Sequence, residues 1–246
     1  MNLAGNTILI TGGASGIGLA LSQRFGQAGS TVIVCGRRLD KLREAQAQLP
    51  GLQIRECDLA SPAERVALRD WATEQFPQLN VLINNAGVQR RLQVADEEEW
   101  YERQQEIAIN FDAPVHLAGL FIPHLRQQAP AAIVNVTSGL AFTPPTFAPI
   151  YGATKAALHS FTISLRHQLR HTGIEVLEIV PPAVNTDLGG AGLHNFGVPV
   201  DEFADSVLAR LAAGELEVGF GTSEERRLAS RSELDAATAA MNARFS

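Results

Sequence analysis

The chain reads as a doubly wound α/β sandwich, with a seven-stranded, mainly parallel sheet flanked by helices. Three observations predict it. Short β-branched runs recur along the 246 residues, and each is followed by a longer segment with helical spacing. Several runs are apolar nearly throughout rather than alternating, which suits strands covered on both faces. The first run passes directly into a glycine-rich turn and a helix.

The elements follow in order. TILIT at 7–11 predicts the first strand, TVIVC at 31–35 the second and LQIREC at 52–57 the third. VLIN at 81–84, AIVNVT at 132–137, IEVLEIV at 174–180 and LEVG at 216–219 supply the remaining four. Helices are expected at 19–28, 41–48, 63–75 and 151–171, the last stopped by Gly173. The acidic run Asp96, Glu97, Glu98, Glu99 reads as a solvated helix start, where carboxylates suit the dipole. Two segments break the rhythm. Residues 187–200 (DLGGAGLHNFGVPV) are Gly-rich and lack helical periodicity, so they form either a lid or a surface loop covering the core. Residues 223–246 read as one terminal helix with Leu234, Ala237, Met241 and Phe245 on a face packed against its own domain. No repeat or linker divides residues 1–246, so a single domain is expected.

Composition excludes several function classes. A hydrophobic fraction of 46%, a charged fraction of 19% and a dispersed net charge of −6 describe an ordinary globular chain without the basic face that nucleic acid requires. No stretch approaches the ~18 apolar residues of a membrane span, and no leader precedes the first strand. Cys35 and Cys57 end neighbouring strands; two buried free thiols suit a cytoplasmic protein better than a bridge does. The expectation is a cytoplasmic protein with neither nucleic-acid nor membrane partners.

The turn Thr11-Gly12-Gly13-Ala14-Ser15-Gly16-Ile17-Gly18 lets backbone approach a phosphate at a helix N-terminus. No G-K-[ST] follows, which excludes a nucleoside-triphosphate loop. The second strand ends Cys35-Gly36-Arg37-Arg38. A carboxylate there would accept from a ribose 2′-hydroxyl, whereas an arginine fork grips a 2′-phosphate. NADP(H) is therefore favoured, with NAD(H) left open by Asp40 a little further along. Tyr151 and Lys155 lie four apart on a predicted helix and share a face. An ammonium there is expected to lower the phenol's pKa, so that Tyr151 exchanges a proton with a carbonyl or alcohol oxygen while Ser138 hydrogen-bonds the same oxygen.

Taken together, TGGASGIG, Asn84-Asn85-Ala86-Gly87, Asn110, Ser138 and Tyr151-x-x-x-Lys155 resemble, in order and spacing, the short-chain dehydrogenase/reductase family. Within it the text is most similar to bacterial oxidoreductases of teichoic-acid D-alanylation operons. The resemblance implies a Rossmann-type fold and a catalytic set of Asn110, Ser138, Tyr151 and Lys155. In it Lys155 also holds the nicotinamide ribose and Asn110 anchors a water. It further implies cofactor contacts from Gly12, Ser15, Gly16, Ile17 and Gly18, from Asp58 and Leu59 at the adenine, and from Asn84, Ala86 and Gly87. After the sixth strand, Pro181, Val184 and Thr186 match the carboxamide contacts. Pro182 stands where the family usually has glycine, which changes the backbone freedom there.

The implied reaction interconverts a carbonyl and an alcohol, the hydride coming from or going to the nicotinamide. Leu140, Phe142, Thr143, Phe147, Leu188, Leu193 and Phe196, with His194, are expected around a hydrophobic substrate. Alternatives are a reductase of carrier-bound 3-ketoacyl groups docking on Arg90, Arg91 and Arg126, a non-catalytic NADP(H) sensor, and a structural partner protein with a vestigial site. No metal site is expected, since His167 and His171 lack a third ligand. A homodimer or homotetramer built on helices at about 96–126 and 151–171 is implied.

Overall fold

The computed structural model describes residues 1–95 and 100–244. Its seven strands form one parallel sheet in the order β3-β2-β1-β4-β5-β6-β7. They are β1 (Thr7–Thr11), β2 (Thr31–Gly36), β3 (Gln53–Glu56), β4 (Val81–Asn84), β5 (Ala131–Val136), β6 (Ile174–Val180) and β7 (Glu217–Gly219). The predicted runs and these strands agree to within one residue at each end, because in-phase burial on both faces leaves little freedom of register.

The helices are α1 (Gly16–Gln27), α2 (Leu39–Gln48), α3 (Pro62–Gln75), α4 (Trp100–Ile107), α5 (Ala113–Leu125), α6 (Pro149–Leu169), α7 (Val200–Ala212), α8 (Thr222–Leu228) and α9 (Arg231–Asn242). Two apolar layers clasp the sheet. On one face Leu21 and Phe25 of α1 and Phe203, Val207 and Leu211 of α7 pack on Ile8, Ile10, Val32 and Val134. On the other Leu68 of α3, Leu117 and Phe121 of α5 and Leu165 of α6 pack on Leu9, Ile33, Leu82 and Ile133. Strand order reverses between β1 and β4, and at such a switch point a crevice opens beyond the carboxyl ends of the strands.

Three expectations need correction or limits. The terminal helix is two helices, α8 and α9, broken at Ala229, because Ser230 starts a new one: its side chain accepts from the Glu233 N–H while Glu233 reaches back. None of α9's described residues is fully buried, so its stripe of Leu234, Ala237 and Met241 is only partly covered, and Phe245 lies outside the described residues. The acidic run from Asp96 to Glu99 also lies outside them. The next described helix, α4, continues through a π-helical turn, Ala108–Asp112, into α5. Among the described residues no helix is long and apolar enough to cross a membrane. Cys35 and Cys57 are free and buried; burial pushes the Cys57 thiol up to about 12.

Candidate active site

A cleft of about 1600 Å³ runs along the carboxyl ends of the strands. At its first end β1 gives way to the glycine turn, where Gly12 and Gly16 have φ of 65° and 51°. Thr11 ties this turn to the end of β4. Its hydroxyl accepts from the N–H groups of Asn85 and Ala86, both at 3.0 Å, and its carbonyl accepts from the Asn85 side chain at 2.9 Å. A Cβ on Gly18 would stand 2.4 Å from the Gly12 carbonyl oxygen, so α1 can press this close to the turn only without a side chain there. The Ser15 side chain makes no capping bond and no acid occupies the first turn of α1. This helix start, bordering the cleft, is thus left for an external anion.

Ser15, Gly16, Ile17, Gly18, Arg37, Arg38, Asp58, Leu59, Ala86, Gly87, Pro181, Val184 and Thr186 all line the cleft with Gly12. The side chains of Arg37 and Arg38 are exposed and make no hydrogen bond or ion pair among the described residues. Arg37 also borders a shallow depression shared with Arg55, Glu56, Asp58 and Glu64. Asp40 does not line the cleft. Nor does Asn84, a correction to its expected place: it lies buried beneath, donating to Asn135 Oδ1 at 2.9 Å, and Asn85 takes the rim instead. Alternation along β4 sends the two neighbours to opposite sides. Pro182 leaves the segment regular: the Pro181 carbonyl accepts from the Gly139 N–H at 2.8 Å, and Val184 bridges Val198.

Next to this surface stand the side chains expected to react. Ser138 follows β5, and its Oγ accepts from the Leu140 N–H at 3.1 Å. Tyr151 and Lys155 lie on α6, both buried and both on the cleft wall. Lys155 Nζ donates to the Val136 carbonyl at 2.8 Å and lies 5.7 Å from the centre of the Tyr151 ring. Burial pushes the Tyr151 phenol up to about 12, Ser138 drawing it back part-way and Glu106 adding to the rise. This reverses the expected lowering. Lys155 is pulled down to about 8, also by burial, against the opposing field of Glu178. Asn110 sits in the π turn and is fully buried; its Oδ1 accepts from the Val88 N–H and its Nδ2 donates to the Val88 carbonyl, both at 2.8 Å. It fastens the Gly87–Val88 backbone against Lys155, since a Cβ on Gly87 would lie 3.4 Å from Asn110 Oδ1 and 3.6 Å from Lys155 Nζ.

Residues 6–194 match the family model described as short chain dehydrogenase. The chain belongs to that family. An uncharacterized oxidoreductase of Bacillus subtilis (strain 168), DltE, is 46% identical over 248 aligned positions that cover 98% of each protein. Among solved structures, a short-chain dehydrogenase from Sphingobium yanoikuyae in complex with NADPH has a TM-score of 0.81 at 28% identity, covering 98% of this chain and 95% of that one. A 3-ketoacyl-(acyl-carrier-protein) reductase from Brucella melitensis complexed with NADH has a TM-score of 0.81 at 25% identity, covering 90% and 100%.

Reading the short-chain dehydrogenase motifs alone misses four groups around this site. Glu178 of β6 is fully buried and accepts from Thr137 Oγ1 at 2.6 Å, while its two oxygens meet His159 Nδ1 at 2.9 and 3.0 Å. That contact raises the His159 pKa. Glu217, opposite Glu178 in the register, completes a His–Glu–Glu group whose ligand atoms lie within 4.8 Å of one another. Here His159 partners Glu178 and Arg166 lies 4.0 Å from Glu217, so the group explains itself as an ion cluster. A charged residue inside the apolar run IEVLEIV was the available signal. Glu106, also fully buried, accepts from the Arg90 N–H at 3.2 Å with one oxygen; its other oxygen has no partner among the described residues, and burial pushes the carboxyl up to about 7. Arg226 and Met241, from α8 and α9, reach the cleft from about 80 to 100 residues beyond Leu140 and Phe147, with no signal in spacing. Of the expected pocket residues, Leu140, Phe147, Leu188, His194 and Phe196 line the cleft. Phe142, Thr143 and Leu193 do not: Phe142 packs on the His159 ring at 4.7 Å, Thr143 is sealed beneath and bonds the Gly139 carbonyl, and Leu193 lies against Gly190.

Proposed function

We propose that this short-chain dehydrogenase is an NADP(H)-dependent oxidoreductase that reduces a ketone or aldehyde to its alcohol, or runs the reverse. What carries this reading is Tyr151: a buried phenol on the cleft wall, beside the Ser138 hydroxyl and one turn from Lys155. The residues fit the dinucleotide, with an uncapped, acid-free helix start for its pyrophosphate and unpaired Arg37 and Arg38 beyond β2 for a 2′-phosphate. NAD(H) remains the alternative cofactor. When bound, the nicotinamide supplies or accepts the hydride. Ser138 Oγ hydrogen-bonds the carbonyl oxygen and fixes its position. Tyr151 Oη delivers the proton to that oxygen as negative charge develops there, and withdraws it in the oxidative direction. Lys155, charged below about pH 8, stabilises the phenolate left behind and holds the ribose hydroxyls.

The carrier-bound alternative draws less support. Arg90 is already engaged by Glu102 and Gln105, and Arg126 is not on the cleft. A homodimer or homotetramer built on α4, α5 and α6 is supported by exposed Trp100, Tyr101 and Ile163. Buried free thiols at Cys35 and Cys57 support a cytoplasmic setting.

The test is consumption of NADPH, then NADH, with aromatic, aliphatic and β-keto carbonyls, native protein beside Tyr151→Phe. Turnover with NADPH is expected, falling by about 10²–10⁴-fold in the variant. Native protein that binds NADPH and reduces no carbonyl would favour the sensor instead.

A further inference from the structure

Arg226 stands out by contrast with its neighbour. On α8, Glu224 is shared by Arg227 at 2.5 Å, by Arg210 at 2.9 Å and by the Gly219 N–H at 2.8 Å. Arg227 is thereby satisfied. The side chain of Arg226, one residue before Arg227, makes no hydrogen bond and joins no ion pair among the described residues, although it is only partly exposed. The nearest acid acting on it is Glu225, which is exposed and does not bond it. Arg24, Arg166 and Arg210, similarly half-buried, each face a carboxylate. Leaving a guanidinium partly desolvated without a partner costs free energy, and burial accordingly lowers its pKa.

The position of this charge gives it a use. Ser223, fully buried, donates to the Val180 carbonyl at 2.5 Å and clamps α8 to the end of β6. That clamp carries Arg226 Nη1 to 3.4 Å from where a Cβ on Gly139 would stand, and Gly139 directly follows the catalytic Ser138. Arg226 lines the cleft here with Leu140 and Tyr151, far along the strand ends from Arg37 and Arg38 at β2. Arg244, beyond α9, lines the same cleft, and Met241 adds an apolar wall. Asn242 pins this end of α9 by accepting from the Thr146 N–H at 2.8 Å and donating to the Pro144 carbonyl at 2.9 Å.

We propose that Arg226 is a substrate-binding residue, and that the substrate is a carbonyl compound bearing a small oxoanion, a carboxylate or a phosphate monoester, a few bonds from its reacting carbon. This rests on the carbonyl-reductase reading and narrows it, replacing a purely hydrophobic substrate with an anionic one. A planar guanidinium offers two parallel N–H donors matched to either oxoanion. With the carbonyl oxygen at Ser138 and Tyr151 and the anion on Arg226, the substrate is gripped at both ends, which fixes the face presented for hydride transfer.

The experiment compares kcat/KM for paired substrates with native enzyme, Arg226→Gln and Arg226→Lys. The pairs are 2-, 3- and 4-oxo carboxylic acids against their methyl esters, and dihydroxyacetone phosphate against dihydroxyacetone. Each readout is a ratio within a pair, so loss of folded or cofactor-loaded enzyme cancels. Native enzyme should prefer the anionic member of at least one pair, the preferred pair telling carboxylate from phosphate. Arg226→Gln should cut that preference by about tenfold to a hundredfold, as for a lost bond to a charged group. Arg226→Lys should restore part of it. Should Arg226→Gln fail to fold, the native preference must still weaken as ionic strength rises. An unchanged ratio in Arg226→Gln, or native preference for the neutral member of every pair, overturns the assignment while leaving the reductase reading intact. No consumption of NADPH or NADH with any of these compounds or with the aromatic, aliphatic and β-keto carbonyls overturns both.

Discussion

The two ends of the cleft are built by different means. At the β1–β4 end, function is carried by backbone and by the absence of side chains. A Cβ on Gly18 would meet the Gly12 carbonyl oxygen, and one on Gly13 would stand 2.4 Å from Val34 Cγ1. At the β5–β7 end, function is carried by side chains from distant segments, among them His194, Arg226, Met241 and Arg244, which share the cleft with Leu140 and Phe147. The first end is held by sterics and tolerates almost no change. The second is a set of interchangeable side chains on a common frame, so it is where one member of a fold family can acquire its own substrate.

That contrast predicts unequal responses to substitution. The largest effect is expected for Gly18→Ala, whose methyl would press on backbone that cannot retreat. It should cost about 1–3 kcal/mol of stability, the usual penalty of overpacking. It should also abolish the rise in Tm that NADPH is expected to give the native protein, read by thermal denaturation with and without cofactor. A variant that retained that rise would break the distinction between the two ends. A smaller effect is expected where side chains enter the first end. Replacing Arg37 and Arg38 together by alanine should lower the NADPH-over-NADH preference in kcat/KM about tenfold or more, by removing charge-assisted bonds to the 2′-phosphate.

The same contrast explains what could be read from sequence. The glycine turn and the Tyr151–Lys155 pair are local: spacing along one turn or one helix face determines their geometry. The strand runs were legible for a similar reason, since burial on both faces writes itself into the composition of each run. Glu178 and His159 were not, because they meet only when β6 packs beneath α6. Arg226 requires the clamp of Ser223 on the end of β6, a tertiary contact 43 residues apart in sequence. The reversed shift of Tyr151 has the same origin. Spacing places Lys155 one turn away, but only the fold shows that its ammonium donates to the Val136 carbonyl and that the phenol is buried.

Glu178→Gln tests whether the hidden cluster matters to the legible pair. Burial lowers the Lys155 pKa and the Glu178 field opposes that lowering. With the anion removed, the Lys155 pKa should fall further, so the charged form is lost sooner as pH rises. The alkaline limb of the kcat/KM–pH profile should therefore move to lower pH, with a severalfold loss of activity at pH 8–9 and little change near pH 6. An unmoved limb would confine Glu178 to a structural role with His159.

The smallest effect is expected at the outermost layer of the second end. With no described residue of α9 fully buried, its place over the cleft depends on few contacts, chiefly the two Asn242 hydrogen bonds to the 144–146 segment. Asn242→Ala should remove about 0.5–1.5 kcal/mol per bond from the docking of α9 alone. Helix-wide amide exchange in α9 should then quicken about tenfold, with the global Tm unchanged, since local opening of a peripheral helix is separable from unfolding of the sheet. KM for the carbonyl substrate should rise severalfold and KM for NADPH should not. A matching rise in both would mean that the terminal helix supports the whole cleft, and that the two ends are less independent than their construction implies.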